Sequence, residues 1–161
     1  MDIKIDLLKE KLLKNLSNKK LETIYDIINR NNPISLRIIE WFVSNYAKVH
    51  KTSYKLENKT FLVYNSYKDE QLNSYKKKLF DMYRRMDRVF IPIKKDKVLE
   101  TTVAQLNFFT WIFKCKILDY IEKNIDKIRK DLNDSKKIKT PKRKKKQDIV
   151  ISRSNIIINL C

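Results

Sequence analysis

Not one of the 161 residues is glycine. Glycine is the residue that takes positive φ freely and lets a backbone approach a ligand closely. The phosphate cradles of P-loop and dinucleotide-binding folds depend on both properties. Folds of those kinds are therefore excluded, and nucleotide-driven enzymology built on them goes with them.

What remains is a chain long enough for one domain with a core, plus a tail. It is 42% hydrophobic and 11% aromatic, too apolar for a disordered chain although 35% of its residues are charged. The charge is lopsided: 37 Lys+Arg against 19 Asp+Glu, a net +18. A field of that sign makes nucleic acid or an anionic membrane surface the default partner. An AT-rich codon bias would spread extra lysines evenly. It would not gather seven Lys and one Arg between Lys136 and Lys146.

Cys115, Cys161 and His50 are too few for a Cys/His zinc site within one chain, so no metal and no cofactor is expected. Cys115 lies inside an apolar helical pattern and reads as a buried, reduced thiol, which points to an intracellular protein. The start, "MDIKIDLLKEKLLKNL", mixes charges throughout and lacks signal-peptide architecture. No run approaches the ~18 apolar residues of a membrane span. The expectation is a soluble intracellular protein, or one packaged in a particle.

Ile5, Leu8, Leu12 and Leu16 repeat at helical spacing, and Leu21, Ile24 and Ile28 resume the stripe after "SNKK". Residues 2–30 thus read as an amphipathic helix pair. "NRNNP" (29–33) is a turn, and Ser35 can cap a helix that turns Ile38, Ile39, Phe42, Val43, Tyr46 and Val49 to the core. "TSYKL" and "TFLVYNSY", separated by "ENK", suggest a hairpin. Leu72, Tyr75, Leu79 and Tyr83 give a helical stripe from Asp69 to about Tyr83. "RVFIPI" (88–93) reads as a third strand, with Pro92 arguing for an edge or an end. Thr102 and Gln105 fit a capping box. One long central helix is expected behind it, from 102 to about Leu132. "DIVI" and "NIIINL" close the chain as strands.

Glu40, Asp81, Asp87 and Glu100 are single acids among cations, which suits ion pairs better than general acid work. His50, at a helix end, has no acid or nucleophile partner in sequence. No acidic cluster of the kind that holds nuclease magnesium is present, and "KDE" (68–70) reads as a helix start. The expectation is a protein that is not an enzyme and has no small-molecule substrate.

Basic segments carry the functional expectation. "SYKKKLFDMYRRMDR" sets Lys76, Lys77, Lys78, Arg84, Arg85 and Arg88 among Tyr75, Phe80 and Tyr83. At helical spacing Lys77, Arg84 and Arg88 would share a side, with phosphates held by arginine and unpaired bases stacked on the aromatics. The rival reading keeps the aromatics in the core and the cations solvated. The second segment, Lys136, Lys137, Lys139, Lys142, Arg143, Lys144, Lys145 and Lys146, includes "PKRKKKQ", the form of a nuclear import signal. The same residues would bind a polyanion without reading its sequence.

"SLRIIEWFVSNYAK", "FLVYNSYKDEQLNSYKKKLFD", "RRMDR", "TTVAQLNFFTWIFKCKILDYIEKN" and "KRKKKQDIVISRS" occur in that order here. In this the chain resembles a group of small basic proteins of nucleocytoplasmic large DNA viruses, the giant viruses of the mimivirus and phycodnavirus kind. The resemblance spans about Ser35 to Ser154. It implies a viral protein, a strand over 149–160 and no particular activity.

Together these readings predict an α+β protein: a small antiparallel sheet flanked by helices, a long central helix, a basic segment and a C-terminal strand. The expected divisions are a helical extension (1–33), an α+β core (34–133), a basic segment (134–148) and a strand (149–161). The expected function is non-enzymatic, sequence-independent binding of DNA or RNA through backbone contacts, in viral genome packaging, transcription or replication. It would act in the viral factory or host nucleus, or inside the virion. The alternative is a virion structural or adaptor protein that binds acidic protein or membrane surfaces. A basic run joined at one end to the core helix and at the other to a strand loses less entropy on binding than a free tail. A phosphate-binding loop is therefore preferred to a dangling signal.

Overall fold

A computed structural model describes residues 3–137. The expected strand over 149–161 and the lysines from Lys139 to Lys146 lie outside the described residues. The chain divides into two compact units, 1–125 and 126–161.

The first unit opens with α1 (Ile3–Asn15) and α2 (Asn18–Ile28). They are separated where the Ser17 hydroxyl accepts the Lys20 amide, an N-cap that satisfies an orphan donor. α2 buries Leu21, Ile24 and Ile27, so Ile27 takes the inward place expected of Ile28. In the "NRNNP" turn the Asn32 side chain accepts the Ile34 amide at 2.9 Å. Ser35 then caps α3 (Leu36–Trp41), as its position predicts. α3 runs through a π-helical stretch (Phe42–Tyr46) into α4 (Ala47–Val49). A π turn inserts a residue into the helix and rotates the residues beyond it. Ile38, Ile39, Phe42 and Val43 face inward as expected, but past the π turn Ala47 is buried and Val49 is 74% exposed.

The hairpin expected around "ENK" forms as β1 (Ser53–Leu56) and β2 (Lys59–Leu62). Ser53 pairs with Leu62 and Leu56 with Lys59, which leaves Glu57 and Asn58 as a two-residue turn. The second strand ends earlier than its β-prone sequence suggests. At Val63 the chain enters α5 (Val63–Asn65), a π-helical stretch (Ser66–Leu72) and α6 (Asn73–Leu79). The helix expected to reach Tyr83 stops at Leu79. Phe80 leaves helical geometry to become buried, and Met82 follows it inward.

β3 (Val89–Lys94) is the strand expected at "RVFIPI". Its partner β4 (Lys97–Thr101) has little signal in sequence, because "KVLET" is short and comes after a charged turn. The two pair antiparallel with a register shift between Pro92 and Lys94. The architecture is thus α+β, with small antiparallel β structure flanked by helices. Among the described residues that β structure is two separate two-stranded ribbons. α2 packs against β3 and β4, and α1 against α7 (Val103–Lys114).

α7 is the central core helix, with Val103 through Phe109, Trp111 and Ile112 all buried. Around it Phe80 lies 5.2 Å from Phe108 and edge-on to Trp111 at 5.6 Å. Such offset and edge-to-face geometries suit the ring quadrupoles. The single helix expected to about Leu132 is instead broken into α7, α8 (Ile117–Lys123) and α9 (125–137). The first break is Lys116 at φ 53°, a left-handed cap whose amide returns to the Phe113 carbonyl. Glycine usually signals such a cap; with lysine there, no local residue type gives warning.

Candidate nucleic-acid interface

The basic residues of the central segment are not one helical face. Lys76, Lys77 and Lys78 are exposed at the end of α6, where Lys76 has φ 58° and breaks the helical path. Lys77 lines a small polar cavity of about 60 Å³ with Glu40, Asp81 and Tyr83. Lys78 lines a separate cleft beside β3.

The three arginines are held by acids of the same fold. Arg84 and Arg88 share Glu100, at 3.8 and 3.6 Å. The Arg84 guanidinium also donates to the Glu100 carbonyl at 3.3 Å. Arg85 pairs with Asp81 at 3.2 Å and lies over the Tyr83 ring. Glu40, 4.0 Å from Arg37, accepts a hydrogen bond from the Tyr83 hydroxyl. Glu40, Asp81 and Glu100 therefore sit in ion pairs, the role their surroundings in sequence suggest. Burial, then the bond to Glu40 and its charge, push the Tyr83 phenol up to about 12. The aromatics expected to stack bases are occupied. Phe80 is core, Tyr75 lies parallel to it at 6.4 Å, and Tyr83 is tied to Glu40.

His50 ends α4 with its ring 4.2 Å from that of Tyr46. Cys115 is a free, buried thiol, pushed up to about 11 chiefly by burial, which keeps it from acting as a thiolate nucleophile at neutral pH. Among the described residues, no group of three or more His, Cys, Asp or Glu could hold a metal ion. Among them, too, no helix is long and apolar enough to cross a membrane. Lys136 and Lys137 are exposed at the end of α9.

A basic cluster that sequence reasoning passed over lies between the two π-helical stretches. The end of α4 and the start of α5 enclose a cleft of about 340 Å³ lined by Ala47, Lys48, Lys51, Thr52, Leu62, Tyr64 and Asn65. Among the described residues, no carboxylate lines it. Hydrogen bonds from the Thr52 amide to the Ala47 carbonyl and from the Val63 amide to the Thr52 carbonyl set the two walls. The Lys48 ammonium lies 5.6 Å and that of Lys68 5.9 Å from the centroid of Tyr64. Cation–π attraction draws each to the negative ring face, yet the two ammoniums repel one another. On the adjoining ribbon face, Lys55 opposite Thr60 and Ser53 opposite Leu62 continue the exposed surface. The signal in sequence is weak: Lys48, Lys51 and Lys68 are scattered, and only the fold gathers them.

The family described as "Family of unknown function (DUF7197)" matches residues 2–159. The chain is 35% identical over 145 residues to "Uncharacterized protein L507" of Acanthamoeba polyphaga mimivirus. That match covers 84% of this chain and 56% of the mimivirus protein, so the chain spans little more than half the length of that relative. No solved structure matches.

Proposed function

The chain belongs to the DUF7197 family and is related to a mimivirus protein, and from that premise we propose that it is a non-enzymatic, sequence-independent nucleic-acid-binding protein of a large DNA virus, acting in genome packaging or in viral transcription or replication. The observation that carries this reading is the cleft at Tyr64, lined by lysine and neutral donors, with no carboxylate among the described residues that line it. A phosphate there meets Lys48 and Lys51 on the lining, with Lys68 held at the ring of Tyr64, and finds no acid in the lining to displace. The arginines at 84, 85 and 88 are already neutralised in part, so they rank as secondary contacts. Lys136 to Lys146 supply further contacts, and a net +18 supports long-range attraction of a polyanion. The proposed sites of action are the viral factory, the host nucleus or the virion.

The test is equilibrium binding of labelled DNA by the full chain at two salt concentrations. It compares the wild-type chain, a Lys48→Glu/Lys51→Glu/Lys68→Glu variant and a chain lacking 136–146. Both changes are expected to weaken binding and to flatten its salt dependence by about 0.9 per lost duplex contact. Weak binding, indifferent to both changes, defeats the reading. Selective capture of an acidic protein instead would favour a virion adaptor.

A further inference from the structure

We propose that the cleft beside Phe90 seats an unpaired base of single-stranded nucleic acid, a specificity that rests on the nucleic-acid reading above. The cleft, about 410 Å³, lies among α1, the end of α6, β3 and the start of α7. Its floor is apolar, built from Leu79, Val89, Val103 and Ala104, and its volume falls in the range of small-ligand sites. Phe90 and Met86 stand at its edge with 64% and 43% of their surface exposed. On the same outward face of the ribbon, Val98 is 51% exposed opposite Pro92. Large apolar side chains left open around a cleft mark a binding surface.

The rim decides what fills it. Lys9 on α1 and Lys78 on α6 bring ammoniums from two elements, and Arg88 adds a third cation. A base entering the cleft carries a phosphate on each side, and these cations are placed to meet them. Arg88 is already paired with Glu100 at 3.6 Å, so Lys9 and Lys78 are the main cations for those phosphates. Asp6 and Asp87, also on the lining, are acceptors suited to the amino groups of bases. Duplex DNA cannot present a base face to Phe90; a single strand can, whatever its sequence, because every base has one.

The test measures anisotropy of a labelled mixed-sequence single strand and of the corresponding duplex, at one salt concentration, with the full chain. The variants are Phe90→Ala and Phe90→Trp. The exposure of Phe90 predicts an unchanged melting curve for both, which circular dichroism checks. Phe90→Ala is expected to weaken single-strand binding roughly ten-fold and to leave duplex binding unchanged, while Phe90→Trp restores it. If wild type binds both probes and Phe90→Ala leaves both alone, this inference fails and the nucleic-acid reading survives. If wild type binds neither, both fail. Self-association in sedimentation that Phe90→Ala abolishes assigns the cleft to a second copy of the chain and overturns the proposal.

Discussion

Gln105 shows how much of a local signature survives folding. The pairing of Thr102 with Gln105 predicts a reciprocal capping box. Half of it forms, since the Thr102 hydroxyl accepts the Gln105 amide at 3.1 Å. The glutamine side chain, however, accepts from Thr101 at 2.6 Å and donates to the Met82 carbonyl at 2.6 Å. It ties the loop after α6 to the start of α7 in a fully buried setting. Gln105→Ala should cost about 2–4 kcal/mol in urea denaturation, because the Met82 carbonyl and Thr101 hydroxyl lose their partner in the interior. Thr102→Ala should cost about 1 kcal/mol, the usual loss for a cap. Tyr83 makes a prediction with a definite sign. Its phenol is held above the unfolded value near 10, so its contribution to stability is whole below about pH 10 and is lost as pH rises toward about 12. Tyr83→Phe should make denaturation midpoints less sensitive to pH over that window. The N-caps at Ser35 and Thr102 were legible because each is set by neighbours in sequence. The destination of the Gln105 side chain was not, since Met82 lies twenty-three positions away.

The elements show how a chain without glycine turns. Arg30, Lys51, Glu57, Asn58, Lys76 and Lys116 all hold positive φ. Each carries a steric cost that glycine would avoid. The β1–β2 turn places both Glu57 and Asn58 there, at φ 51° and 66°, as a two-residue hairpin of this hand requires. Installing the preferred Asn-Gly turn through the double substitution Glu57→Asn with Asn58→Gly should raise stability by about 1 kcal/mol in chemical denaturation. Element types were largely legible from period: the α1–α2 pair, the first hairpin, β3 and the core helix all form where apolar spacing suggests. Element ends were less so. Lys116 and Lys76 terminate helical paths without glycine or proline, and the π turn after Trp41 changes which residue faces inward without any signal in composition.

At the scale of the molecule the dominant quantity is charge. On the proposed reading, about five phosphate contacts, some in the Tyr64 cleft and some in the basic run, predict a roughly 500-fold loss of duplex affinity between about 50 mM and about 200 mM salt. A titration at several salt concentrations checks this, and a flat response would mean that phosphates are not the ligand. In the central patch the arginines pair with Glu100 and Asp81, an arrangement that depends on how β4 and the loop after α6 meet.

By itself the sequence determined the absence of glycine-built nucleotide sites, the α+β class, the burial of the "NFFTWI" helix and the large positive charge. Each of these comes from composition or from spacing within one element, where neighbours in the chain are neighbours in space. Only the tertiary structure decided which cations are engaged by acids and which remain open. That choice depends on distances between elements: Arg84 and Arg88 meet at Glu100, whereas Lys48 and Lys68 meet at Tyr64, beside a cleft that no carboxylate of the described residues lines.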